Sequence, residues 1–170
     1  MATRSENEFR DLGNNSGHVP IKLPDRSVCQ TCGTVIFKQH LFWPDYILPT
    51  AGHLVEVKEA KEYFPFGNLS DEQRDRLDWW HVYRLKDTFS WVFLELGDGS
   101  APKGRSAYMI SWPRYKEAEA KLLASGQKSI GKETKRNPGA DDVFAESRMD
   151  WIPGIGWFPP EDHPWRHHMQ

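Results

Sequence analysis

The spacing of apolar side chains divides the chain into a polar opening, a patterned middle and an aromatic end. The first 33 residues are rich in Asn, Gly, Ser and Pro, and only residues 5–12 carry the spacing of a short helix. The texture changes at Thr34. Val35-Ile36-Phe37 and Tyr46-Ile47-Leu48 are short β-prone runs, and Leu54-Val55-Glu56-Val57-Lys58 alternates apolar and polar residues at the period of a strand. Pro49-Thr50-Ala51-Gly52-His53 joins the last two as a hairpin turn. Ser70 reads as a helix N-cap, Asp71 and Glu72 suit the positive end of a helix dipole, and Gln73, Leu77, Trp80 and Arg84 follow at helical spacing. Trp79 and Trp80 read as core residues of that helix. A strand over residues 90–96 closes at Gly97-Asp98-Gly99, and another covers 107–112. Pro113 then opens a helix that runs to Ala124 and stops at Gly126. The order is short helix, three strands, helix, strand, strand, helix, without internal repeat or heptad. It predicts an α/β fold in which helices flank one central mixed sheet.

Composition narrows the class. A chain of 170 residues suits a single domain, and 38% hydrophobic residues including eight Trp and nine Phe supply a core. No apolar run approaches the roughly 18–20 residues of a membrane span, and the first residues lack the apolar stretch of a secretory signal. A soluble, cytoplasmic protein without a membrane partner is expected, of a size that suits a viral or mobile-element product. The net charge of −2 argues against a histone-like binder.

That average conceals a division of charge: residues 1–100 sum to −4, residues 101–140 to +6 and residues 141–170 to −4. The basic segment is a candidate footprint for an anionic polymer, with Lys128, Ser129, Lys132, Lys135 and Arg136 as candidate phosphate contacts. The plainer reading is a solvated helix face followed by a lysine-rich loop.

Candidate chemistry lies in Pro44-Asp45 and Glu56-Val57-Lys58. The hairpin places Asp45 beside the arm that carries Glu56, and Glu56 and Lys58, two residues apart, project to one side of their strand. Two carboxylates at close range repel unless a cation lies between them, and oxygen ligands of this kind suit Mg²⁺ or Mn²⁺. Such an ion activates water toward a phosphate, while a lysine offsets the developing negative charge. The plainer alternative is a surface hairpin with solvated charges.

These residues match the motif of the PD-(D/E)xK nuclease superfamily. Glu56-Val57-Lys58-Glu59, Tyr63-Phe64-Pro65-Phe66, Gln73 with Leu77, Trp91-Val92-Phe93-Leu94 and Gly126-Gln127-Lys128-Ser129-Ile130 together resemble RecU-type Holliday junction resolvases over residues 42–131. The resemblance implies a nuclease core of one helix, three antiparallel strands, a helix and another strand. It implies a Mg²⁺-dependent DNA endonuclease acting on branched DNA as a homodimer, in recombination or repair. Asp45, Glu56 and the Val57 carbonyl would be metal ligands, Lys58 the catalytic lysine, and Gln73 a site residue reaching over from the following helix. An acid from the first helix is also implied, with Glu6, Glu8, Asp11 and Asp25 as candidates. The family's longer N-terminal arm and its stalk have no counterpart here. A nonenzymatic nucleic-acid-binding or assembly module on the same fold is the alternative, and an RNA-directed or restriction-type nuclease would use the same three residues.

The pattern divides the chain into an N-terminal arm (1–33), a nuclease core (34–131) and a basic loop with a Trp- and Pro-rich tail (132–170). The arm ends in Cys29-Gln30-Thr31-Cys32-Gly33, the spacing of a zinc knuckle. Its missing Zn²⁺ ligands would come from His18, His40, His163, His167, His168 or a second protomer; a reversible dithiol or simple burial are the other readings. In the tail, residues 151–160 are too interrupted by Pro and Gly for regular structure. Their aromatic rings either stack on unpaired bases or a partner, or pack across the domain.

Overall fold

A computed structural model describes residues 3–23, 27–28, 35–37, 44–49, 52–83, 89–98, 103–131 and 138–168. Cys29, Cys32, His40, Asp25, Lys132, Lys135 and Arg136 lie outside these residues. Helix α1 (Arg4–Asn15) starts at a capping box in which Thr3 and Glu6 exchange side-chain and backbone hydrogen bonds, and Phe9 and Leu12 are its buried anchors. It begins one residue and ends three residues beyond the predicted helix.

A five-stranded sheet follows, in the order β1-β4-β5-β7-β8. Its strands are β1 (Ile21–Lys22), β4 (Tyr46–Leu48), β5 (His53–Ala60), β7 (Ser90–Leu96) and β8 (Ser106–Ser111). β5 and β7 run parallel and every other neighbouring pair antiparallel. The sheet is thus mixed, as expected, but its composition differs from the sequence pattern. Strand β3 (Val35–Phe37) pairs with β2 (Ser27–Val28) in a separate two-stranded sheet, and β1 lies beside β4. A short apolar run marks a strand without specifying its partner.

Parallel neighbours require a long crossover, and here it contains helix α2 (Asp71–Tyr83). Strand β6 (Tyr63–Pro65), also within the crossover, leaves the main sheet to pair with β9 (Ser129–Gly131). Helix α3 (Trp112–Ala124) follows β8 directly, with Pro113 in its first turn, so residue 112 starts the helix where the pattern ends a strand. Gly126, at φ 85°, turns the chain out of α3, and Gln127 N–H closes onto the Leu122 carbonyl. Two ties hold α2 to α3: Arg74 grips both oxygens of Glu119, and Asp78 accepts from Trp112 Nε1 and Lys116.

β7, between β5 and β8, has all seven residues buried. Alternation along it feeds two cores. Val92, Leu94 and Leu96 join Leu77 of α2, Trp112, Tyr115 and Leu122 of α3, and Phe64 and Ile130 of the small ribbon. Trp91 and Phe93 join Val55, Val57, Tyr46 and Leu48, and also Phe9 and Leu12 of α1. This second core is completed by Met149, Trp157 and Trp165 from the C-terminal segment.

That segment corrects the expectation of an irregular tail. After a short helix α4 (Ala140–Val143), strands β10 (Asp150–Ile152) and β11 (Gly156–Phe158) form a hairpin. Gly154 and Gly156, at φ 82° and 105°, let the Pro-Gly run act as its turn instead of breaking the structure. The packing alternative holds for Trp157, which is buried; Trp165, beyond that stretch, is buried as well. Trp79 departs from prediction in the other direction. It is 46% exposed, because two residues along a helix turn a side chain about 200° away from Leu77, the buried anchor of α2. Trp80 lies on the flank, half-buried, and donates its indole N–H to the Gly52 carbonyl. Among the described residues, no helix is long and apolar enough to cross a membrane.

Candidate active site

The β4–β5 register pairs Tyr46 with Val55, so Asp45, just before β4, comes level with Glu56. Val55 and Val57 face the core beneath α1; Glu56 and Lys58 therefore project from the opposite face, toward α2. The Asp45 carboxylate accepts Val57 N–H at Oδ2, 2.8 Å away, and its carbonyl accepts Leu23 N–H. The N–H and C=O of a strand residue point to the same side, so the Val57 carbonyl is also turned toward Asp45.

Glu56 has no exposed surface. Its Oε1 receives Lys58 Nζ at 2.6 Å and Gln73 Nε2 at 2.5 Å. Its Oε2 is buried without a hydrogen-bond partner. Gln73 Oε1 lies 3.3 Å from Lys58 Nζ, so carboxylate, ammonium and amide close a triangle. Burial, followed by the charge of Asp45, pushes the Glu56 carboxyl up to about 8, against the opposing pull of Lys58. Burial also raises Asp45, against its bond from Val57 and the charge of Lys58.

The structure brings together four residues expected from the sequence, Asp45, Glu56, Lys58 and Gln73, with Val57 between them. It also separates the first-helix candidates. Glu6 lies near enough to Asp45 for its charge to raise that carboxyl. Burial opposes ionisation of Glu6 itself, but Lys22 at 2.5 Å and the Thr3 cap outweigh it and hold the carboxyl below its ordinary value. Glu8 instead binds Arg105 and the Trp157 indole. Asp11 is exposed. Lys22 and its bond to Glu6 were not singled out by the sequence pattern: a two-residue strand carries no periodic signal.

The other expected contacts fall elsewhere. Lys128 is exposed, and its carbonyl accepts from Phe66 N–H; Ser129 is half-buried in β9. Among the zinc candidates, His18 is buried near α1, whereas His163 is buried in the tail with Nδ1 accepting from Trp165 N–H.

Among the described residues, no three His, Cys, Asp or Glu side chains stand together as a complete metal cage. The donors at this site nevertheless fit a Mg²⁺-like ion, which keeps several waters and takes one or two carboxylates. The buried, unpartnered Glu56 Oε2 is the lone-pair donor such an ion would satisfy, with the Asp45 carboxylate beside it and the Val57 carbonyl as the further oxygen to be tested. No family model matches this sequence, and no curated protein matches it.

Proposed function

We propose that this chain is a Mg²⁺-dependent (or Mn²⁺-dependent) DNA endonuclease with a PD-(D/E)xK-type core that hydrolyses phosphodiester bonds in branched DNA, working as a homodimer. The observation that carries the reading is the convergence of Asp45, Glu56, Lys58 and Gln73 around a buried carboxylate with one unsatisfied oxygen. Burying two carboxylates beside a single ammonium gains little for stability, since their desolvation is costly. The order of α1, the antiparallel strands β1, β4 and β5, the crossover helix α2 and the parallel strand β7 supports the fold-level part of the reading.

Asp45, Glu56 and the Val57 carbonyl would hold the ion, and bound there it would polarise a phosphate oxygen and lower the pKa of water. Lys58 orients the attacking water and offsets the negative charge that grows on the phosphate; its position is set by Glu56 and Gln73. Gln73 donates to Glu56, leaving Oε2 free for the ion. The leaving 3′-oxygen departs with a proton from solvent. The basic segment around Lys128, Lys132, Lys135 and Arg136 supplies phosphate contacts along the strand.

Purified protein should cleave branched DNA with Mg²⁺, and Lys58→Ala should lower the rate at least about 10³-fold while salt-sensitive DNA binding persists. Equal cleavage by the wild type and by the double variant Asp45→Ala, Glu56→Ala would refute the assignment. Salt-sensitive binding with no cleavage under any divalent ion would favour a nonenzymatic binding module.

A further inference from the structure

The start of α2 and the site share one side chain. Gln73 N–H donates to Ser70 Oγ at 3.2 Å, and Ser70 N–H donates back to Gln73 Oε1 at 3.1 Å. This is a reciprocal capping box, with Ser70 as N-cap and Gln73 three residues on. A serine hydroxyl oxygen carries two lone pairs, one of which takes Gln73 N–H here. The amide that closes the box is the one that meets Glu56 and Lys58.

A primary amide has two unlike ends: its oxygen only accepts and its nitrogen only donates. With Oε1 on Ser70 N–H, Nε2 is turned to the Glu56 carboxylate, and the same Oε1 remains within reach of the Lys58 ammonium. Rotating the amide by half a turn would set donor against donor at Ser70 and Lys58, and acceptor against acceptor at Glu56. The Ser70 N–H at the helix start thus favours the same amide orientation as Glu56 and Lys58 do.

We infer that Ser70 is a positioning residue: by capping α2 it fixes the Gln73 amide, which in turn holds Glu56 and Lys58 in one arrangement. The catalytic consequence rests on the phosphodiester reading; the orientation of the amide does not. A helix cap with no such role would affect stability alone.

The test uses the full chain with Ser70→Ala, Ser70→Thr and Gln73→Glu. In metal-free wild type, the two Gln73 side-chain amide protons should be well separated in the NMR spectrum and slow to exchange. Ser70→Ala should bring them toward the values of a free glutamine, and Ser70→Thr, which keeps the capping oxygen, should restore them. With DNA and Mg²⁺, Ser70→Ala should lower kcat about tenfold with KM within about twofold, Thr restoring it. Gln73→Glu can still accept from Ser70 N–H, so α2 stays capped, yet it has no donor for Glu56 and should lose at least as much kcat. Where Ser70→Ala unfolds the helix, Ser70→Gly, a tolerated N-cap without the hydroxyl, takes its place.

An unchanged Gln73 amide signal in the variant lacking the hydroxyl would overturn the inference, as would wild-type kcat there or a Thr variant as impaired as the Ala one. Wild type that cleaves no DNA, with amide signals behaving as expected, would refute the nuclease reading and leave the positioning role standing.

Discussion

Glu56 lies on β5 between Asp45, Lys58 and Gln73. It is buried, meets two donors at Oε1 and none at Oε2, and titrates near 8 because burial and Asp45 outweigh Lys58. Its carboxyl is raised from 4.5, so between those values the folded state keeps a proton that the unfolded chain has released. Stability must therefore fall as pH rises through that window, by at most about 1.4 kcal/mol per pH unit from this group, and level off beyond either end. Raised Asp45 acts in the same direction. Urea unfolding in chelator from pH 5 to 8 should show a steeper loss in wild type than in Glu56→Gln, which cannot ionise; parallel curves would exclude Glu56 as the source. At this scale much was legible beforehand. Alternation placed Glu56 and Lys58 on one side, and the hairpin placed Asp45 beside them. The choice between Glu6 and Glu8 is not legible in the sequence, because both belong to one short helix and only its docking decides which carboxylate lies near enough to raise Asp45.

At the scale of elements, a second buried charge network joins pieces that the sequence lists far apart. Arg105, ahead of β8, donates Nε to Glu95 Oε1 of β7 at 2.5 Å and Nη2 to Glu8 of α1 at 2.6 Å. Trp157 of β11 donates to the same Glu8, and Ser5 of α1 lies 2.9 Å from Glu95 and 2.8 Å from Glu59 of β5. Glu95 has no exposed surface, and burial raises its carboxyl despite Arg105. Arg105→Met should cost about 3–5 kcal/mol, since it strands a buried carboxylate, and adding Glu95→Gln should recover part of that loss. A single variant as stable as wild type in urea would show that Arg4, 3.1 Å from Glu95, suffices as its partner. The pattern marks β7 and α3 nearly at their observed bounds. It sets residues 35–37 among the three strands ahead of α2, whereas they pair with Ser27–Val28, because strand pairing depends on distant backbone and leaves no local trace.

For the whole molecule, the C-terminal segment is part of the fold. Trp165 packs edge-on against Trp91 with ring centroids 5.0 Å apart, and lies 5.3 Å from the His53 ring. His53 leads β5, and its Nδ1 accepts from Phe89 N–H at the entry to β7. His163, held below its ordinary value by burial, accepts from Trp165 N–H and shapes the turn that delivers the indole. Trp165→Ala should therefore cost about 3–5 kcal/mol and weaken the near-ultraviolet dichroism; a loss below about 1 kcal/mol would mean that the segment only rests on the surface.

Taken alone, the sequence determined the periodic elements, the side of β5 that carries Glu56 and Lys58, the glutamine that follows at helical spacing, and the uneven charge beneath a net of −2. These are local properties, set by side-chain period and by residues a few positions apart. Tertiary structure decided which first-helix acid faces Asp45, that β1 rather than residues 35–37 joins the sheet, that Trp79 is exposed while Trp165 is buried, and that the N-cap of α2 and the carboxylate of β5 share one amide. Each of these depends on contacts between segments distant in sequence, where packing and burial, not period, select the partner.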